Sequence, residues 1–326
     1  RGREFLWNEG HTMFATREEA DAERDQILGI YRKVTEEFLA LPGLVGKKTD
    51  NEKFAGALAS YSIEHVMPNG KAIQGPDFHS DGQNFAKAFE LSFIDQTGEK
   101  QFVWQNTWAI TTREIGVMVA IHGDDKGLIV PPRVAPIQVV IVPIVNDETR
   151  SRVLEEAKRI RDLLQDPYSV RLDDRDFLTP GRKFNEWELR GVPLRLEIGP
   201  RDINQGQVVL VRRDTSMKRA VKIIEVVAEV GRELEDIQRT LLARASETLR
   251  ASVRPAKSYD ELKAVLAKEG GVVQAPWCGT PECEEKVKAE TGAKIVNIPF
   301  DQPPEVGPCV LCGNPGKSIA NFAKSY

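Results

Sequence analysis

Two stretches of this 326-residue chain carry side chains able to do chemistry on a small charged ligand. The first is Arg1-Gly-Arg-Glu-Phe-Leu-Trp7-Asn-Glu9-Gly-His11. Read as a strand, it places Phe5, Trp7, Glu9 and His11 on one face and Leu6, Asn8 and Gly10 on the other. An unpaired buried carboxylate is strongly penalised, so this face makes a poor core. It makes a good cradle for a cation, with Glu9 supplying charge and Trp7 a π face. A surface edge strand is the plainer alternative. The second stretch is His122-Gly-Asp-Asp-Lys-Gly-Leu-Ile-Val-Pro-Pro-Arg133-Val-Ala-Pro-Ile-Gln138, in which two prolines fix the backbone before Arg133. A guanidinium grips phosphate bidentately and never loses its charge; an ordinary surface ion pair is the alternative. Together the stretches suggest two walls of one pocket for a nucleotide and a small cationic ligand.

A third constellation lies near the end. Cys278-x4-Cys283 and Cys309-Val-Leu-Cys312 are the chain's four cysteines. Two knuckle-like thiolate pairs suit a closed tetrahedral zinc site, structural because no position is left for water. Gly279 and Gly313 are placed for the tight turns. A disulfide or unligated core thiols are the alternatives, and thiols clustered in this way fit a reducing compartment better than a disulfide framework.

The bulk composition sets limits. Hydrophobic residues at 41% and charged residues at 29% fit a globular chain of one to three domains. A net charge of −4 argues against a protein coated to grip nucleic acid, though one local basic face suffices for a specific RNA. No apolar run reaches the roughly 18 residues of a membrane span, and no signal peptide opens the chain. The cytoplasm is the expected location. A start at Arg1, inside a motif, is read as that of a fragment.

Local patterns say how these residues are held. Thr16-Arg-Glu-Glu19 is a capping box, and Ile27, Tyr31, Val34, Phe38 and Leu41 give the helix behind it one buried face before Pro42-Gly43 stops it. Residues 50–122 alternate in short runs, among them Leu91-Ser-Phe93 and Phe102-Val-Trp104, with Asn69-Gly70 and Thr97-Gly98 as hairpin turns. That predicts an antiparallel α+β domain rather than a doubly wound one. From Gln138-Val-Val-Ile-Val142, a strand apolar on both faces, the texture becomes α/β. A helix over 148–164, strands 169–172, 194–198 and 207–211, a short helix after Pro180-Gly181 and a long helix over 216–250 are expected. Pro255 marks the next boundary. Three domains follow: 1–136, 137–254 and 255–326.

In their wording the first two stretches resemble the second and third signature motifs of class II aminoacyl-tRNA synthetases. The closest resemblance is to the prolyl-tRNA synthetases of the archaeal and eukaryotic type. It implies an antiparallel-sheet class II catalytic core, partial here, then an α/β anticodon-binding domain and a small zinc-binding α/β domain. By it, Arg1 and Arg133 are the catalytic arginines on ATP. Gln74, Asp77, Thr111 and Arg113 join them around ATP, with Asp77 standing where threonine is more usual. Trp7, Glu9, His11, Phe54, His79, Trp108 and Ala109 surround proline, Ala109 replacing a common glycine. Arg175, Lys183 and Glu186, in Asp173-Asp-Arg-Asp-Phe-Leu-Thr-Pro-Gly-Arg-Lys-Phe-Asn-Glu-Trp-Glu188, face the tRNA anticodon; by themselves they read as a solvated helix. The tail resembles the family's extra C-terminal domain, which commonly ends in tyrosine, as here at Tyr326.

The reaction so implied joins L-proline to tRNA(Pro) through a prolyl-adenylate, with ATP, Mg²⁺ on the phosphates, structural Zn²⁺ and a homodimer, without membrane or DNA. The interval from Trp7 to Arg133 leaves no room for an inserted editing domain. The first class II motif and the principal α-phosphate arginine lie upstream of Arg1 in the family, so this chain by itself is expected to be inactive. Two rivals stand beside this reading. One is a non-catalytic paralogue that binds tRNA or protein as a regulator. The other is the threonyl or histidyl enzyme, against which the lack of cysteine in residues 1–277 counts.

Overall fold

The computed structural model describes residues 4–268 and 270–326, and the elements follow the local patterns closely. β1 (Trp7–Phe14) leads into α1 (Arg17–Lys33). The capping box is made: the Glu19 N–H donates to Thr16 Oγ1 at 3.2 Å and the Thr16 N–H to Glu19 Oε2 at 3.1 Å. The expected helix ends early. Val34–Phe38 is a π turn, whose extra residue rotates the apolar stripe, so Phe38 is exposed while Leu41 is buried. Next come β2 (Leu44–Lys47), β3 (Ala59–Val66) and β4 (Ala72–Gly82), with Gly70 at φ +76° in the β3–β4 turn. They are followed by α2 (Asn84–Ala88), the hairpin β5 (Ser92–Ile94) and β6 (Lys100–Phe102), then β7 (Trp104–Thr111) and α3 (Arg113–His122).

The middle of the chain runs β8 (Val139–Pro143), α4 (Arg150–Leu164), β9 (Val170–Leu172), α5 (Pro180–Leu189), β10 (Leu194–Ile198), α6 (Pro200–Asn204), β11 (Gln207–Arg212), β12 (Lys218–Lys222) and α7 (Val226–Ser252). The sheet order is β12-β11-β10-β8-β9, parallel around β8 and antiparallel around β11. As the unbroken apolar run demanded, β8 is buried along its whole length. The expected helix over 216–250 begins ten residues late. Lys218-Arg-Ala-Val-Lys222 alternates instead and closes the sheet as a basic edge strand, a common guard against edge pairing. Arg219 then reaches Glu229 and Glu233 on α7.

The tail adds β13 (Val253–Pro255), α8 (Tyr259–Lys268), β14 (Val272–Trp277), α9 (Pro281–Thr291), β15 (Ala293–Pro299) and β16 (Ser318–Lys324). The chain forms two compact units. One holds the residues up to Glu36, Leu41–Val117 and Ser246–Tyr326; the other holds Glu37–Ala40 and Met118–Ala245. The tail thus shares a unit with the front, an arrangement absent from the three-segment expectation. The reason is a single continuous sheet, β1-β7-β4-β3-β2-β15-β16-β14-β13, joined where Lys47 and Gly46 pair with Ile298 and Pro299. Gly46 permits the seam, because a Cβ there would stand 2.4 Å from Ile298 O.

Only one face of the front strands is covered by α1. Ile27, Leu28 and Tyr31 pack on Tyr61, Ile63 and Phe78, with Trp108 and Ile110 alongside; burying each large side chain fully is worth about 1.5–3 kcal/mol. The other face stays open and forms a cleft. No helix among the described residues is long and apolar enough to cross a membrane.

Gly10 is the tightest point of the covered face, since a Cβ there would lie 2.1 Å from the Trp108 ring. Gly10→Ala is expected to destabilise the fold by about 1–3 kcal/mol through overpacking, read as a lower urea midpoint. An unchanged midpoint would mean that the indole can move aside.

Candidate functional site

The strand register aligns the chemistry on the open face. Glu9 pairs with Ala109, which pairs with Asp77; His11 pairs with Thr107, which pairs with His79; Trp7 pairs with Thr111. Odd-numbered residues of β1 and β7 therefore line up with Asp77 and His79 of β4. They line a cleft of about 760 Å³ with Phe5, Phe54, Gln74, Phe85 and Arg113. The expected alternation of Phe5, Trp7, Glu9 and His11 holds. Glu9 and His11 are 3.5 Å apart and both partly exposed.

One end of the cleft is acidic and aromatic. Phe54 stacks on His79, with centroids 4.8 Å apart and rings inclined by 22°. Ser60 Oγ lies 2.8 Å from His79 Nδ1 and accepts from the Phe54 N–H at 2.9 Å. Burial holds the His79 imidazole down at about 4, helped by the Lys48 charge, so the ring is neutral at physiological pH. Asp77 accepts from Gln74 Nε2 at 2.8 Å. Burial pushes its carboxyl up to about 6, against the pull of Lys48 and Arg113. Asp81, almost wholly buried, is likewise raised to about 6 by burial, against a hydrogen bond from Thr107 and the charge of His11.

The other end is cationic. Arg113 opens α3, at the helix end whose dipole favours an anion, and its guanidinium donates to Gln74 O at 2.9 Å. Behind it His65 and Glu114 form a buried pair at 3.1 Å. Gly75 has no room for a side chain above that pair, since a Cβ would lie 2.8 Å from each. The cleft therefore offers carboxylates and rings to an amine at one end and a guanidinium to an anion at the other.

The other expected site residues fall as follows. Gln74, Asp77, Thr111 and Ala109 line the cleft. Trp108 contributes to its wall, but its ring points to the covered face, edge-on to Tyr31 at 6.2 Å, because the alternation turns it away from Ala109. Arg1 lies outside the described residues. The expected second wall, 122–138, belongs to the other compact unit, and with it Arg133. Its guanidinium pairs with Glu235 at 3.1 Å and approaches Glu37 at 3.9 Å, while its N–H donates to Gln238. Asp81, Thr107, Phe85 and Met13 line the cleft without having been singled out; extending the alternation along β1, β4 and β7 would have found all but Phe85.

In the middle unit Asp173 is a hub. Arg175 binds it at 2.7 Å and Glu186 at 3.0 Å, Trp187 Nε1 donates to it at 2.8 Å, and Lys183 donates to its carbonyl at 2.9 Å. Lys183 is buried at 5% exposure, which leaves Arg175 and Glu186 at the surface of the network. Asp173 falls to about 2, the bonds from Arg175 and Trp187 and the Lys183 charge outweighing burial.

The four sulfurs of Cys278, Cys283, Cys309 and Cys312 lie within 4.8 Å of one another, with Cys278 and Cys312 at 3.7 Å. A tetrahedron with metal–sulfur bonds of about 2.3 Å has sulfurs about 3.8 Å apart, so the set fits one thiophilic ion. Gly279 and Gly313 take φ +86° and +74° at the knuckle turns. Burial raises the Cys283 thiol to about 12; Cys278, despite burial, is drawn down to about 6 by bonds with Thr280 and neighbouring thiols.

Comparison with known proteins agrees with this arrangement. The family described as "Prolyl-tRNA synthetase, C-terminal" matches residues 259–326, and "Anticodon binding domain" matches 138–233. The proline–tRNA ligase of Natranaerobius thermophilus is 46% identical over 328 residues, covering 100% of this chain and 68% of that protein. The enzyme of Alkaliphilus oremlandii is 46% identical with the same coverage, and "Proline--tRNA ligase 2" of Bacillus cereus is 42% identical over 100% and 68%.

Asp77 gives the cleft a measurable electrostatic cost. With its carboxyl raised to about 6, the folded state binds more protons than the unfolded chain from the usual carboxylate range up to that value. Stability therefore falls as pH rises through this window. Asp77→Asn, which keeps an acceptor for Gln74, is expected to stabilise the ligand-free fold by about 2–3 kcal/mol near pH 7.5 and by little near pH 4. A pH-independent gain in chemical denaturation would assign the effect to packing instead.

Proposed function

The chain belongs to the proline–tRNA ligases, which join L-proline to tRNA at the expense of ATP, and from that membership we propose that the open-face cleft is where proline meets ATP. The carrying observation is its polarity: Glu9, Asp77 and Asp81 with aromatic rings at one end, Arg113 on a helix N-terminus at the other. Free proline is a cationic amine on an apolar ring with a carboxylate beside it, and ATP is a polyanion. Glu9 holds the ammonium, while Trp7, His11, Phe54 and neutral His79 enclose the ring, with Ala109 as floor and Trp108 backing it. Gln74, Thr111 and Arg113 hold ATP, with Arg1 and Arg133 on its phosphates and Asp77, bonded to Gln74, where the acidic end meets it. A proline carboxylate oxygen attacks the α-phosphorus, the bond to pyrophosphate breaks, and prolyl-adenylate forms. A terminal ribose hydroxyl of tRNA then attacks the carbonyl and AMP leaves. These side chains supply position and charge rather than proton transfer, and Mg²⁺ shields the phosphates.

By this reading residues 1–136 belong to a class II catalytic core, supported by its antiparallel strands with one open face. An anticodon-binding domain is present in the middle; Arg175 and Glu186 meet the anticodon, with Lys183 bracing them from inside. The tail thiolates hold structural Zn²⁺. The protein works as a homodimer in the reducing cytoplasm, where thiols stay available to a metal.

Proline-dependent ATP–pyrophosphate exchange by the full-length protein tests this. Proline is expected to support exchange far better than threonine, cysteine or alanine. Glu9→Gln should raise the proline KM about 10- to 100-fold, the worth of a hydrogen bond to a charge. Arg113→Ala should lower kcat/KM for ATP by about 100-fold or more. A folded, metal-loaded protein without exchange would leave the tRNA-binding paralogue as the reading.

A further inference from the structure

Phe54 forms a wall of the cleft with its side chain half exposed, and the front strands meet it through the His79 ring and the Ser60 hydroxyl. Its segment, residues 48–54, is held by the tail as well. Thr49 Oγ1 donates to Glu284 Oε1 at 2.8 Å, with both residues buried. Lys294 Nζ donates to Glu52, and Lys288 stands 3.7 Å from the same carboxylate. Lys48 Nζ donates to Val296 O at 2.8 Å. Within the segment the Glu52 and Lys53 N–H groups bond Thr49 O at 3.2 and 2.9 Å, folding it into one turn. That turn delivers Phe54 to His79.

We infer that the tail positions the proline-facing wall of the cleft: Thr49, Glu52, Glu284 and Lys294 form a clamp that fixes the turn carrying Phe54. They are positioning residues and touch no reacting atom. The clamp also reaches the thiolate site. Glu284 follows Cys283 on the first turns of α9, so an ion held by the four thiolates fixes the helix from which Glu284 reaches Thr49. The clamp's bonds run to the turn carrying Phe54, whereas Thr111 stands on β7 and Arg113 on α3. Its loss should therefore weaken proline and spare ATP. This rests on the reading that Phe54 faces proline.

The test uses the full-length, metal-loaded protein. Thr49→Val and Glu52→Gln are each expected to raise the proline KM in pyrophosphate exchange about tenfold, with the ATP KM changed less than about twofold; Thr49→Ser should restore it. Backbone hydrogen exchange over residues 50–58 should quicken about tenfold in both variants, and also in the unmutated protein stripped of metal by a chelator. An unchanged proline KM in Thr49→Val, an equal rise in both KM values, or unaltered exchange over 50–58 would overturn the clamp. Phe54→Ala separates the two readings. If it raises the proline KM while Thr49→Val does not, the clamp alone fails; if it leaves the proline KM unchanged, the amino-acid wall fails and the clamp with it.

Discussion

The buried Lys48–Glu64 pair is the interaction on which the front of the molecule turns. Lys48 Nζ lies 2.6 Å from Glu64 Oε1, which also accepts from Ser62 at 2.7 Å, and the same ammonium donates to Val296 across the β2–β15 seam. Two charges buried this deeply repay their desolvation only when paired and hydrogen-bonded, and removing one partner typically costs about 3–5 kcal/mol. Here the pairing has two consequences. It fastens the tail to the front sheet, and it sets a fixed positive charge beneath the cleft. That charge helps keep His79 neutral and draws the Asp77 carboxyl down against its burial. Architecture and site electrostatics thus share one ammonium group.

The cleft it supports is not arranged for stability. Asp77 and Asp81 are both held near 6 by burial, and the open face of the sheet lacks the helix that covers the other. A ligand amine placed among these carboxylates would restore the charged state that burial disfavours. Binding to the folded state alone would then stabilise it through mass action. Trp108 shows the division of labour along one strand: its ring closes the covered face while its neighbours Thr107 and Ala109 stand on the open one.

What could be read from the sequence was whatever depends on neighbours in the chain. Alternation through Trp7, Glu9 and His11, the Thr16–Glu19 box, the buried run of β8 and the cysteine knuckles all follow local rules, and all are in the structure. The partners of Arg133 were harder to foresee, because Glu37 and Glu235 lie 96 and 102 positions away. Arg113 was expected beside ATP, and the pairing of β7 with β1 and β4, followed by the start of α3, places it on the cleft. The long helix was misplaced at its start because Lys218-Arg-Ala-Val-Lys222 is too polar to announce a strand without the edge of β11 beside it. The β2–β15 seam joins segments about 250 positions apart, and its sequence signal is a glycine, Gly46, whose need is visible only with Ile298 in place.

The middle unit applies the same principle to its own surface pair. Arg175 and Glu186 are both long, flexible side chains, and ordering each on binding would ordinarily cost about 0.5–1.5 kcal/mol. Asp173 removes much of that cost beforehand, because it binds Arg175, Trp187 and Lys183 at once and Arg175 in turn holds Glu186. Burying Lys183 places a positive charge behind the network, where it adds to the bonds from Arg175 and Trp187 that hold Asp173 ionised against its burial. Two buried groups, Asp173 and Lys183, therefore set the geometry of the exposed pair, as Lys48 sets the charge beneath the cleft.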